Sequence, residues 1–462
     1  MNRIVRMLAA GAIAAACLSS CAKEPSVDWD ALREDAFEAW MSRNGDGAVK
    51  QPSGVYIKKL HSESSVVKPP KAGDWVLIDY TGRTMIAGDV FTTRDSAVAR
   101  QQGTFEYYTH YAPELVEYEL GGAMIDGLYH ALGAMTEGDS VAAYIPPSLS
   151  YGAYGGSFGN GYQGEISSVS ANTPVIMNLR LDKIVPDPLA YENTQVREYA
   201  YDNWGLSVTD TIAKNMYRRV IVPGRDTTHV RKDSIVCLYY VGQFLDGFVF
   251  DTNMADTARK HHIYDSNDSY KYDSITLTVG SRDTAYIAGF YKAVEGLRYG
   301  DVAQVVFPST YGYGSTGTSA SDATVIGPYS PLVFTIEVLP RYGDGTVRHP
   351  YTRKGVQSVD GNEDGVWATG FVVGAVEGTS VETSAKYSDT VTVKTNILLS
   401  DIRTPSEASR VFAVELPEGE IRDKLNLVDN PSIYRKKIAV YGNITQYLGQ
   451  KGVVDVTQYT KR

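Results

Sequence analysis

The chain has 462 residues, more than one ordinary domain holds, so two to four domains are expected. A hydrophobic content of 43% with 21% charged residues reads as globular, and 33 Tyr against 12 Phe point to β-rich structure with many half-exposed aromatics. The net charge of −10 argues against a nucleic-acid partner, whose phosphates require a basic surface.

At the N-terminus, Arg3 and Arg6 precede the apolar run "MLAAGAIAAACL", which is too short to span a bilayer and has the shape of a secretory signal. It ends in "LSSC", which resembles a bacterial lipoprotein box; an ordinary signal cut near the small residues is the alternative. The resemblance implies removal of residues 1–20, lipidation of Cys21 and an unstructured tether over 21–30. It also implies a lipid-anchored place in the bacterial cell envelope, at the outer membrane. Several acyl chains on one residue hold a protein on a membrane where a single chain would not. Cys17 would leave with the signal, so Cys237 remains as a lone thiol in the strand "DSIVCLYYVG", with no partner for an internal disulfide.

Two amphipathic helices come next in kind: "REDAFEAW" ends at residue 40 and "REYAYDNW" at residue 204. Each apolar stripe needs cover, and Trp40 and Trp204 are expected to dock each helix on its own domain. The likeness continues downstream. "PSGVYIKKL" (52–60) pairs with "KNMYRRVIV" (214–222), and "GDWVLIDYTG" (73–82) with "DSIVCLYYVG" (233–242). "AGDVFTT" (87–93) pairs with "DGFVFDT" (246–252), and "AMIDGLYHALGAMTEGD" (123–139) with "AYIAGFYKAVEGLRYGD" (285–301). "IPPSLSYGAYG" (145–155) pairs with "FPSTYGYGSTG" (307–317). The offset stays between 159 and 164 residues, so the chain holds two copies of one unit.

In order, these strings resemble the FKBP-type peptidyl-prolyl isomerase domain. The likeness covers roughly residues 72–185 and 231–340. It implies an α+β fold, a curved antiparallel sheet around one short helix, twice over. It also implies action on X–Pro bonds of proline-containing protein clients. That reaction suits the residues present. Rotation about an X–Pro amide faces about 18–20 kcal/mol of resonance barrier. Lowering it needs no nucleophile, metal or cofactor, only a dry aromatic bowl for the proline ring and a few polar groups that favour the twisted amide. Neither copy contains a Ser/His/Asp or Cys/His constellation.

Carried onto the second copy, the resemblance assigns the site to Tyr240, Phe250, Asp251, Ile287, Phe290, Tyr313 and Phe334. Phe290 stands at the floor where the family usually has Trp, and the Tyr313 hydroxyl is placed to bond the carbonyl flanking the proline. As bare residues, the same aromatics could be the core of a curved sheet; against that, Tyr and Asp in one concave apolar patch need partners when buried, which favours a ligand pocket. In the first copy Tyr80, Phe91, Ile125 and Tyr151 match. Thr92, however, replaces the Asp, Leu128 the floor aromatic and Met177 the wall Phe. Those exchanges remove the carboxylate and ring stacking, so the second copy is expected to be the active one.

Both copies carry a long insert after the F-x-T stretch, "RDSAVARQQGTFEYYTHYAPELVEY" and "NMADTARKHHIYDSNDSYKYDS", whose Tyr-rich content suits protein recognition. The tandem His261–His262 lacks further ligands at metal-binding spacing. A third insert, "SFGNGYQGEISSVSANTP" (157–174), is expected over the mouth of the first pocket, shielding it or lending it a different ligand. From about residue 343 the repeat stops at the Gly/Pro-punctuated linker "RYGDGTVRHP". Five short strands follow, with a helix before the fourth, and resemble an OB-fold barrel. Basic and acidic residues balance over 343–462, so protein or glycan contact is favoured there over nucleic acid. "DGNEDG" (360–365) begins like a calcium loop, but Phe371 occupies the twelfth position, so a turn is expected.

The expected domains are a helix with the first FKBP-like domain (31–186), a helix with the second (190–342) and the OB-like domain (350–462). The function expected is that of an envelope-anchored isomerase or folding chaperone. The alternative is a non-catalytic docking component of an envelope complex, contacting partners through the inserts or the OB-like domain.

Overall fold

The computed structural model describes residues 28–62, 68–122, 124–158, 167–205, 210–281, 285–318 and 324–461, and the chain divides between Asp187 and Pro188 into two compact units. The signal, Cys21 and most of the expected tether lie outside the described residues. The last tether residues do not: helix α1 spans Trp29–Asn44. It begins this early because the Asp28 carboxylate accepts the free N–H groups of Asp30 and Ala31 at 3.2 and 3.0 Å.

In the first unit, α1 is followed by β1 (Val49–Lys50), β2 (Tyr56–His61), β3 (Trp75–Thr84), β4 (Val90–Thr93), α2 (Ser96–Gln102), β5 (Glu114–Glu117), α3 (Asp126–Leu132), β6 (Ser140–Ile145) and β7 (Val175–Val185). The strands form one antiparallel sheet in the order β1-β2-β6-β7-β3-β4, with β5 also on β3. Alternation fixes which face is inside. Val175, Met177, Leu179 and Leu181 point from β7 into a core closed by Leu128, Ala131 and Leu132 of α3.

The opposite face of that sheet carries α1. Phe37 and Met41 are its buried residues, packed with Met85, Tyr56, Tyr144 and Ile176. Trp40 stays half-buried against the Tyr144 ring. The first helix is therefore anchored by Phe37 and Met41 more than by Trp40, because the sheet meets the helix one residue around from the tryptophan.

The second unit begins with α4 (Pro188–Trp204), β8 (Asp210–Ala213), β9 (Met216–Val222), β10 (Ile235–Gln243), β11 (Val249–Thr252), α5 (Ala255–Lys260), β12 (Ile275–Thr278), α6 (Ala288–Val294), β13 (Val302–Phe307) and β14 (Leu332–Val338). Its sheet repeats the first, β11-β10-β14-β13-β9-β8 with β12 on β10. Here Val196, Ala200 and Trp204 of α4 are buried against Tyr217, Val306 and Val333. Cys237 lies in β10, half-buried, with its sulfur 3.4 Å from the Thr276 hydroxyl.

After α7 (Arg353–Ser358) come β15 (Glu363–Val376), α8 (Val381–Ser384), β16 (Ala385–Lys386), β17 (Asn396–Ser400), β18 (Val411–Glu415), α9 (Glu420–Leu425), β19 (Lys437–Tyr447) and β20 (Gln450–Lys461). β15, β17, β18, β20 and β19 close on one another as a five-stranded barrel, with β18 and β20 parallel and α9 entering before β19. The expected OB-like order is thus present. The linker before it is held to the second sheet. Arg348 pairs with Glu337 of β14 at 2.9 Å, and Arg225 reaches Glu363 of β15 at 3.2 Å.

Candidate active site

The seven residues assigned in the second copy surround one cavity of about 470 Å³, together with Ala285, Tyr286 and Gly312. Four rings build its floor and walls. Phe290 and Phe334 lie 4.9 Å apart between centroids, Phe250 meets Phe334 edge-on at 5.7 Å, and Tyr240 meets Phe290 edge-on at 5.1 Å. Each ring comes from a different element: β10, β11, α6 and β14. Gly242 allows the crowding, since a Cβ there would meet Phe334 at 2.7 Å and Phe250 at 2.8 Å. Ile287 holds extended backbone and turns the chain into α6.

Polar groups sit among these rings. The Tyr240 hydroxyl donates to Asp251 Oδ2 at 2.6 Å, and Lys271 lies 3.4 Å from Oδ1. Burial, followed by the charge and hydrogen bond of Asp251, pushes the Tyr240 phenol far up. Burial and then the Asp251 charge raise Tyr313 as well. Both phenols therefore stay protonated at neutral pH and remain donors. A bowl of rings with a few oriented hydroxyls and one carboxylate can bind an apolar five-membered ring and favour one amide geometry. It has no means of nucleophilic attack.

Sequence reasoning missed what holds Tyr240 in place. The backbone N–H of Tyr240 donates to Asn253 Oδ1 at 2.7 Å, and its carbonyl accepts the Thr252 hydroxyl. Asn253, buried, also donates to Leu238 and Asp273, which ties the second insert to the sheet. The only sequence signal was a polar pair following the F-D strand. Arg94 does the equivalent work in the first copy, donating to the carbonyls of Ala112 and His110.

The first copy brings its six assigned residues together differently. Tyr80, Phe91, Leu128 and Met177 are all at most 2% exposed, whereas Tyr240 is half-buried. Ile125 and Tyr151 pack on the same cluster. Thr92 is buried where Asp251 stands in the other copy, yet the expected loss of the carboxylate is only a change of strand. The Tyr80 hydroxyl donates to Glu114 Oε2 of β5 at 2.7 Å. Phe158, from the third insert, is buried with its ring 4.9 Å from Tyr80 and 6.1 Å from Phe91. Residues 159–166 of that insert lie outside the described residues.

Residues 67–172 and 226–339 match the family described as FKBP-type peptidyl-prolyl cis-trans isomerase, and residues 351–462 match one described as a domain of unknown function, DUF6359. Among solved structures the chain is similar to the three FKBP domains of wheat FKBP73, with 20% identity, 63% of this chain and 95% of that one covered, and a TM-score of 0.23. It is similar to a peptidyl-prolyl cis-trans isomerase of Pseudomonas syringae pv. tomato at 22% identity, covering 33% and 95%, with a TM-score of 0.24. FkpA of Escherichia coli is a third, at 18% identity, covering 40% and 74%, with a TM-score of 0.25.

Proposed function

Because the chain carries two FKBP-type peptidyl-prolyl cis-trans isomerase domains in tandem, we propose that the second is its working catalytic unit. The protein is then an envelope-anchored folding catalyst, tethered through a lipid on Cys21 and acting on X–Pro bonds of envelope or secreted proteins. One observation carries the choice of domain. In the second copy a cavity of about 470 Å³ is lined by Tyr240 and Asp251, a bonded pair, beside Phe250, Phe290 and Phe334.

In this reading the proline ring packs over Phe290 within the cavity that Phe250 and Phe334 also line, and burial there supplies affinity. The chain around the proline leaves the aromatic floor toward Tyr313, whose raised pKa keeps its hydroxyl a donor for a substrate carbonyl. Where the bound segment displaces water from the rings, hydrogen bonds to the twisted amide count for more than in bulk solvent. Asp251 fixes the Tyr240 ring as one wall. The enzyme lowers the rotation barrier by binding the twisted amide better than the planar one, with no covalent step.

The test is isomerisation of a prolyl tetrapeptide by the full chain. Phe334→Ala should remove most of the activity and Met177→Ala, its counterpart, should leave it nearly intact. The opposite ordering would assign the chemistry to the first domain.

A further inference from the structure

The two pockets differ by more than the residues that line them. In the second copy the stretch between Gly317 and Ile326, "TSASDATV", contains no aromatic residue. In the first copy the corresponding stretch is longer, "GSFGNGYQGEISS" between Gly155 and Val169, and it sends Phe158 inward. That ring is 4% exposed and belongs to the same apolar cluster as Leu128 and Met177. It sits 4.9 Å from Tyr80 and 6.1 Å from Phe91, the counterparts of Tyr240 and Phe250.

The walls have changed to suit it. Leu128 replaces Phe290 and Met177 replaces Phe334, so two aromatic rings are gone and one from the insert has entered. The neck of the insert is closed by backbone bonds. Gly156 and Val169 exchange both of theirs at 2.9 and 2.7 Å, and the Ser167 N–H donates to the Phe91 carbonyl at 3.2 Å. Gly155 makes this closure possible at φ +70°, since a Cβ there would meet the Val169 carbonyl oxygen at 2.5 Å. Phe158 is thus carried on a pinned neck directly over Tyr80.

We propose that Phe158 is an intramolecular ligand of the first pocket, seated where the second pocket takes a proline ring, so that the first domain accepts prolyl segments only when Phe158 is displaced. This rests on the reading of the second cavity as a proline site. The physics is shared by both rings. Each is a flat or nearly flat apolar group whose burial against Tyr and Phe faces is favourable, and a tethered one has a high effective concentration. An internal ligand therefore outcompetes a free peptide of similar intrinsic affinity.

The experiment is a titration of the full chain with a prolyl tetrapeptide by calorimetry. Wild type should bind one equivalent, Phe334→Ala none, Phe158→Ala two, and the Phe158→Ala/Phe334→Ala double variant one. A double variant that binds nothing while its first domain still melts cooperatively overturns the proposal, as does a wild type that binds two. Should Phe158→Ala fail to fold, the wild type still decides. With ring-labelled Phe and Tyr, saturating peptide should leave the Phe158 and Tyr80 resonances in place, and their displacement refutes occupancy by Phe158. A failure of the second-pocket reading looks different: Phe334→Ala then binds like wild type, while Phe158→Ala still gains one equivalent.

Discussion

The carboxylate of Glu192 accepts both the backbone N–H and the hydroxyl of Ser309, at 2.8 and 2.9 Å, and the whole side chain is buried. This links α4 to the turn that presents Tyr313. Glu34 makes a single, more exposed version of the contact, accepting the Ser148 N–H at 3.1 Å. Glu192→Ala should strand two buried donors and cost about 1–3 kcal/mol of domain stability. Glu192→Gln should keep the geometry, since its carbonyl can accept the N–H while its amide donates to the Ser309 oxygen. Burial raises the folded pKa of Glu192, with the Ser309 bonds opposing. The protonated form is thus favoured by folding, and that stability is lost as pH rises through the folded pKa. The melting temperature of Glu192→Gln relative to wild type should therefore improve between pH 4 and pH 7; an unchanged difference would refute the assignment.

Within the second pocket, Tyr313→Phe should lower isomerisation modestly, because it removes one donor and leaves the ring. Asp251→Ala should lower it further, since Tyr240 loses the acceptor that orients it. The order can be read from kcat/KM of these two variants and of Phe334→Ala. Tyr313→Phe as the most damaging would shift the weight from ring burial to the hydroxyl.

Trp204→Ala should lower the melting temperature of the second domain by an amount equivalent to roughly 3 kcal/mol, the usual cost of emptying a buried indole site. Peptide affinity should barely change, because Trp204 packs on the sheet face opposite the cavity with Val306 and Val333. In the first domain, Phe37→Ala should destabilise more than Trp40→Ala, since Phe37 is 2% exposed and Trp40 half-buried. Differential scanning calorimetry of the four proteins distinguishes this from tryptophan-led docking in both copies.

Asp344 governs acid sensitivity at the junction with the barrel. Burial alone would raise its pKa, but bonds from His349 and Thr346 outweigh that and hold it at about 2. A carboxylate depressed in this way contributes stability that is present above the ordinary value near 3.8 and lost as pH falls through about 2. Asp344→Asn should therefore melt lower than wild type at pH 6, and the gap should close as pH approaches 2. A gap that widens on acidification would contradict the bond pattern.

If Cys21 carries the lipid, Cys21→Ser should move the protein from the membrane fraction to the soluble periplasmic one. Unchanged fractionation would defeat the anchoring proposal.

What the sequence by itself determined was whatever is local or repeated. The strands declared themselves through alternation, as in Val175 to Leu181. The two copies appeared through a nearly constant offset, and the barrel through five alternating runs with α9 in its place. The positions of Phe250, Phe290 and Phe334 were legible through the family resemblance of the short strings that hold them, two in strands and one at the start of α6. Tertiary structure decided the contacts between residues far apart in the chain. Thr92 suggested a lost carboxylate, but Glu114 supplies one from β5, because strand pairing sets Ile78 opposite Glu114 and so brings it beside Tyr80. Phe158 read as one aromatic in a glycine-rich insert; only the closed neck and the thinned walls of Leu128 and Met177 turn it into the pocket. Trp40 was the larger apolar residue on α1, yet Phe37 is buried, since the angle at which a helix meets a sheet follows from the shapes of both surfaces. The one-dimensional pattern fixes which face is apolar. Which residue on that face reaches the core depends on what the partner surface offers.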